Sequence, residues 1–127
     1  MPQNEEYFRV IIAGGRDFND YLLLRAKCDN ILAGKAASHR IVIISGAARG
    51  ADSLGEKYAN EKSYTIERYS ADWNTHGKAA GPIRNAQMAN SADALIAFWD
   101  GQSHGTKSMI NIARNKGLLV RVINYKH

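Results

Sequence analysis

The feature that most constrains this chain is an alternation of five short, largely β-branched runs with four longer segments of helical periodicity. The runs are Phe8–Ala13, Ile41–Ser45, Thr65–Tyr69, Ala94–Trp99 and Val120–Asn124. The second and fourth are almost continuously apolar, as a strand must be when helices cover both of its faces. The fifth alternates and suits a sheet edge. Between them, Tyr21–Leu32 places Leu23, Leu24, Cys28, Ile31 and Leu32 on one stripe, with Gly34 as the expected stop. Ala51–Glu61 turns Leu54, Tyr58 and Ala59 inward, Pro82–Asn90 opens on a proline, and Gly105–Asn115 ends before Gly117. Such a succession demands parallel pairing through right-handed crossovers. The expected fold is a three-layer α/β sandwich around a five-stranded parallel sheet, with 3-2-1-4-5 as the order that brings the glycine loops together.

Composition narrows the class. At 127 residues one domain is expected, residues 1–127 with a core over about 8–124. A hydrophobic content of 45% against 23% charged residues excludes a disordered chain. The longest apolar run, Ala94–Trp99, is far short of a bilayer span, and the acidic opening MPQNEEYFRV lacks a signal-peptide core. The single cysteine, Cys28, allows neither an intrachain disulfide nor a multi-cysteine zinc site, and its place on the apolar stripe makes it core. His39, His76, His104 and His127 show no ligand spacing, so no metal is expected. These readings point to a cytoplasmic protein with no membrane partner. The net charge of +5 suits a phosphorylated ligand or a polyanion, but no run of consecutive basic residues forms a tail.

Glycines cluster after the strands. Gly14-Gly15 follows the first, Gly46 and Gly50 the second, Gly101 and Gly105 the fourth, each leading into a helix. In open α/β sheets that edge binds ligands where the strand order reverses. Helix starts there present unpaired N–H groups to anions. Candidate ligand-binding residues are Gly14, Gly15 and Arg16 in the first loop and Ser45, Gly46, Arg49 and Gly50 in the second. Gly101, Ser103, Gly105 and Thr106 are the candidates in the loop after the fourth strand. Asp52 reads as a helix cap rather than a catalyst. A long polar segment after the third strand, Ala71–Asn85, returns to the same edge. It carries Trp73, able to stack a base or to cover the sheet end, and Arg84 and Asn85. In the first turn of the Pro82 helix an arginine would oppose the helix dipole, which makes sense beside a bound anion.

These loops resemble a known superfamily. Ser45–Asp52, in the pattern Ser-Gly-x-Ala-x-Gly-x-Asp, resembles the signature of the DNA-processing protein A family. Arg84 to Met88, Arg-x-x-x-Met, followed by the Gly101–Thr106 loop, resembles the LOG phosphoribohydrolases. Both belong to the SLOG superfamily of Rossmann-like domains, and the set GGRDF, SGAARGAD, ADWNTHGKAAGPIRNAQM and ALIAFWDGQSHGT looks most like its YspA-like branch. The resemblance runs from about Val10 to Asn124. It implies a pocket for a nucleotide or nucleotide derivative, commonly in a homodimer. The LOG enzymes cleave the N-glycosidic bond of nucleoside monophosphates with an arginine and a glutamate. Arg84 matches the arginine, whereas Met109 stands where the glutamate would be. The loop's Pro-Gly-Gly start is also absent.

The favoured expectation is therefore binding of a nucleotide or related phosphorylated ligand, as sensor or carrier, with no required cofactor beyond that nucleotide or phosphate. The alternative is a hydrolase of nucleotide-derived substrates, with Arg84 and one of Asp17, Asp72 or Asp100 as catalytic groups. A third is single-stranded nucleic-acid binding, which needs a basic track interleaved with exposed aromatics.

Overall fold

The computed structural model describes residues 6–126; the first five residues, read above for a leader, and His127 lie outside it. The chain runs β1 (Tyr7–Gly14), α1 (Tyr21–Ala36), β2 (Arg40–Ser45), α2 (Ala51–Lys62), β3 (Thr65–Arg68) and α3 (Trp73–His76). A 3₁₀ turn, Gly77–Ala79, leads into α4 (Ala80–Ser91), followed by β4 (Ala94–Trp99), α5 (His104–Asn115) and β5 (Leu119–Asn124). The five strands form one parallel sheet in the order β3-β2-β1-β4-β5. The fold class is the one the alternation predicts, and the strand order the one expected from the glycine loops.

Strand β1 sits at the centre, pairing Val10 with Ile43 of β2 and Ile12 with Ile96 of β4. Its apolar run serves two cores. Val10 and Ile12 pack with Leu24, Cys28 and Leu32 of α1 and Tyr58 of α2. Ile11 and Ala13 face Met88 of α4 and Met109 and Ile110 of α5. Val10, Ile11, Ile12, Ile43, Ile44 and Leu95 are completely buried, each favouring the fold by about 1.5–3 kcal/mol over an exposed side chain. At the edges, β3 and β5 are more exposed, and β5 keeps its alternation. No helix among the described residues is long and apolar enough to cross a membrane.

Two helix boundaries differ from the pattern in the sequence. Helix α1 passes through Gly34 and ends at Ala36. A Cβ at Gly34 would meet nothing within 4 Å, and a glycine in an exposed helical position costs only about 1 kcal/mol. That is too little to stop a helix anchored by Leu32. Termination comes instead where the Ser38 and His39 amides turn back to the Lys35 carbonyl. Helix α4 starts at Ala80, so Pro82 is its third residue. The ring is still tolerated because the first four amides of a helix lack intrahelical acceptors. Gly117 does stop α5: its φ is +79°, and its amide and that of Leu118 close on Arg114 and Ala113.

Candidate functional site

Strand order reverses between β1 and β4, whose following helices leave toward opposite faces of the sheet. Backbone bonds tie the loops together at that point. The Gly15 amide donates to the Phe98 carbonyl at 3.2 Å, and the Gly15 carbonyl accepts from Ala51 at 3.1 Å and Phe18 at 3.2 Å. Two glycines make this approach possible. A Cβ at Gly14 would lie 2.2 Å from the Phe98 carbonyl oxygen, and one at Gly50 2.3 Å from that of Gly15. Gly50 also holds φ at +78°. The glycines after β1 and β2 thus serve loop-to-loop packing as well as any ligand.

The loops enclose a cleft of about 670 Å³. Gly14, Gly15, Arg16, Trp73, Arg84, Asn85, Ser103, Gly105 and Thr106 line it, together with Asp17 and Asp100. An adjoining cavity of about 390 Å³ shares Arg16, Trp73 and Arg84 and adds Gly46 and Arg49. Ser45, Gly50, Asp72 and Gly101 line neither.

The loop after β4 makes a polar wall. Asp100 Oδ1 accepts from the Gln102 amide at 2.8 Å and the Ser103 amide at 2.7 Å. These two bonds hold its carboxyl below the usual carboxylate range. Asp100 is therefore the organiser of the turn. Trp99 Nε1 donates to the Ser103 carbonyl at 3.0 Å and pins the loop from the other side. The earliest α5 amide returning to that carbonyl is Lys107, which leaves those of His104, Gly105 and Thr106 at the open helix start. Ser103 and the buried Thr106 set their hydroxyls 3.4 Å apart beside them.

The loop after β2 is built differently from expectation. Ser45 is buried and donates to Glu56 Oε2 at 2.6 Å, while its oxygen accepts from the Ala47 amide at 3.1 Å. The Ala48 amide donates to Asp52 Oδ2 at 3.2 Å, and that of Ala51 is taken by Gly15. These amides are satisfied within the protein, and Ser45, engaged with Glu56, lines neither cavity. Nor is Asp52 the cap of α2. The capping position is Gly50, without a side-chain bond, and Asp52 lies in the first turn, lining the cleft at 6% exposure.

Asp52 and Arg84 form the electrostatic centre. Burial pushes the Asp52 carboxyl up to about 6, against the opposing pull of the Ala48 amide and the Arg84 and Arg16 charges. Burial likewise lowers the Arg84 guanidinium, with Arg16 acting in the same direction and Asp52 against it. Arg84 donates from Nη1 to the Gly46 carbonyl and from Nε to Asn85 Oδ1 at 3.0 Å. It is the fifth residue of α4, in the second turn, where the dipole's influence has faded. The dipole conflict expected from the sequence is therefore absent, and Arg84 lines the cleft from the second turn of α4. Met109, where the resemblance to the LOG enzymes would place a glutamate, is buried and lines the cleft.

The remaining acids divide by role. Asp17 is exposed at the rim, and Asp72 caps α3 by accepting from the Thr75 amide at 3.1 Å. Trp73 is half exposed, over Gly81 and between the two cavities. Sequence reasoning missed Tyr125 and Lys78, which also line the cleft. Lys78 stood inside a motif already noted, while Tyr125 follows the last strand and carried no local signal; it packs on Phe18 at 4.7 Å between ring centres. Among the described residues no group of three or more His, Cys, Asp or Glu could hold a metal ion.

Comparisons with known proteins agree with this fold. Residues 8–76 match the family described as the YspA, cpYpsA-related SLOG family. The "Gene 61 protein" of Mycobacterium phage D29 is 34% identical over 125 residues, covering 92% of this chain and 95% of that protein. Among solved structures, DNA processing protein A (DprA) from Streptococcus pneumoniae superposes with a TM-score of 0.69 at 15% identity. The match spans 92% of this chain but only 50% of the DprA chain. The TM1055 structure gives a TM-score of 0.60 at 19% identity, covering 92% of this chain and 72% of that one. At these identities the two structures share the fold.

Proposed function

The chain belongs to the YspA, cpYpsA-related SLOG family, and from that premise we propose that it binds a nucleotide or related phosphorylated nucleoside, as sensor or carrier. The observation that carries the reading is the cleft at the reversal of strand order, lined by both the α5 start and Arg84. A phosphate at that wall meets the amides of His104, Gly105 and Thr106 and the positive end of the helix dipole. The hydroxyls of Ser103 and Thr106 donate to its oxygens, and Arg84 supplies a guanidinium. Trp73 offers an exposed ring face to the base.

Thermal melting against a panel of nucleoside monophosphates tests this. A ligand at 100 times its dissociation constant stabilises the native state by about 2.7 kcal/mol, which for a domain of this size raises Tm by roughly 10 °C. Arg84→Ala is expected to abolish the rise. No shift with any nucleotide at millimolar concentration refutes the proposal.

A second reading, hydrolysis of a nucleotide-derived substrate, has one observation in its favour. A buried carboxyl whose affinity for protons is raised to near neutrality, that of Asp52, lines the cleft beside Arg84. This is the setting in which a carboxyl works as an acid or base. Release of free base or ribose phosphate from the bound nucleotide, lost in Asp52→Asn, distinguishes this from binding alone.

A further inference from the structure

The second cavity is chemically unlike the first. The main cleft mixes charges, with Asp17, Asp52 and Asp100 against Arg16, Lys78 and Arg84. The adjoining cavity brings together Arg16, Arg49 and Arg84 and has no carboxylate among its lining residues. Arg84 is held by the Gly46 carbonyl and Asn85. Arg16 and Arg49, both exposed, make no hydrogen bond or ion pair among the described residues. The nearby Ala47 and Ala48 amides are already bonded to Ser45 and Asp52, so the charged groups this cavity offers are guanidiniums, with Ser70 beside them. Three like charges around one hollow repel each other; Asp52, outside this cavity, attracts Arg84 and Arg16, and a shared anion relieves the repulsion that is left.

We infer that the second cavity is a binding site for a second anionic group of the same ligand, which is therefore a nucleotide carrying a pyrophosphate rather than a monophosphate. Trp73, Arg16 and Arg84 line both cavities, so the two adjoin at these residues. With the first phosphate at the α5 start, the next extends past Arg84 toward Arg16 and Arg49. The inference rests on the nucleotide reading above and deepens it to a ligand class.

The test compares AMP, ADP and ADP-ribose, and the corresponding guanine and pyrimidine mono- and diphosphates, by calorimetric titration without divalent cations. Charge-assisted bonds to a further phosphate predict diphosphates at least about tenfold tighter than the matching monophosphate. ADP-ribose separates an internal from a terminal pyrophosphate, and a tenfold advantage for either supports the inference. In Arg49→Gln the ratio of diphosphate to monophosphate affinity is expected to fall below about threefold. The surface control Lys116→Gln preserves the ratio. Equal affinity for both classes, or an unchanged ratio in Arg49→Gln, overturns the inference while leaving the nucleotide site standing. Absence of binding by every compound removes the nucleotide site as well.

Discussion

Replacing Asp52 by asparagine should make this protein more stable at neutral pH, though it removes a charge lying close to an arginine. The folded-state carboxyl is pushed up to about 6 from the ordinary aspartate value of 3.8, with burial as the main cause. A raised value means the folded chain binds the proton more tightly than the unfolded chain does. Stability from this group is therefore complete below the unfolded value and is lost as pH rises through about 6. Two pH units of displacement correspond to about 3 kcal/mol at full ionisation. Asparagine keeps an oxygen for the Ala48 amide and carries no charge to desolvate. Urea unfolding of both proteins at pH 4.5 and 7.5 isolates the effect, because the other titrating groups are common to both. The variant's advantage is expected to grow by about 2 kcal/mol between the two pH values. A pH-independent difference, or a variant less stable than the parent at pH 7.5, would show that the Arg84 attraction outweighs burial and would sink the argument.

The same contacts lead to other expected outcomes. Gly34→Ala, on an open helical face, is expected to stabilise by about 0.5–1 kcal/mol in chemical denaturation. Gly14→Ala would press a methyl against the Phe98 carbonyl and should cost about 3 kcal/mol or more; a mild effect would mean that the loop junction is soft. The Cys28 thiol is buried and pushed up to about 12 by desolvation, so a disulfide reagent should label it only at the rate of unfolding. Trp73→Ala should weaken nucleotide binding by about tenfold if the ring stacks on the base, measured by titration, while leaving the unfolding midpoint nearly unchanged.

Periodicity and punctuation in the sequence determined the architecture. Continuous apolar runs such as Ile41–Ser45 can only be covered on both faces, and the alternation of elements leaves right-handed parallel crossovers as the solution. The location of the cleft followed from the glycine-bearing loops, because every parallel strand ends at the same edge of the sheet. What those loops do individually was decided by tertiary contact. Ser45 has a hydroxyl suited to an anion, but Glu56, eleven residues away, takes it. Asp52 stands where a cap is expected, yet the contact of Gly50 with Gly15 fixes the helix start and leaves the carboxyl buried beside Arg84. Tyr125 enters the cleft only because β5 lies next to β4. Local sequence records what a residue can offer; which acceptor reaches it first depends on distances that exist only once the sheet has formed.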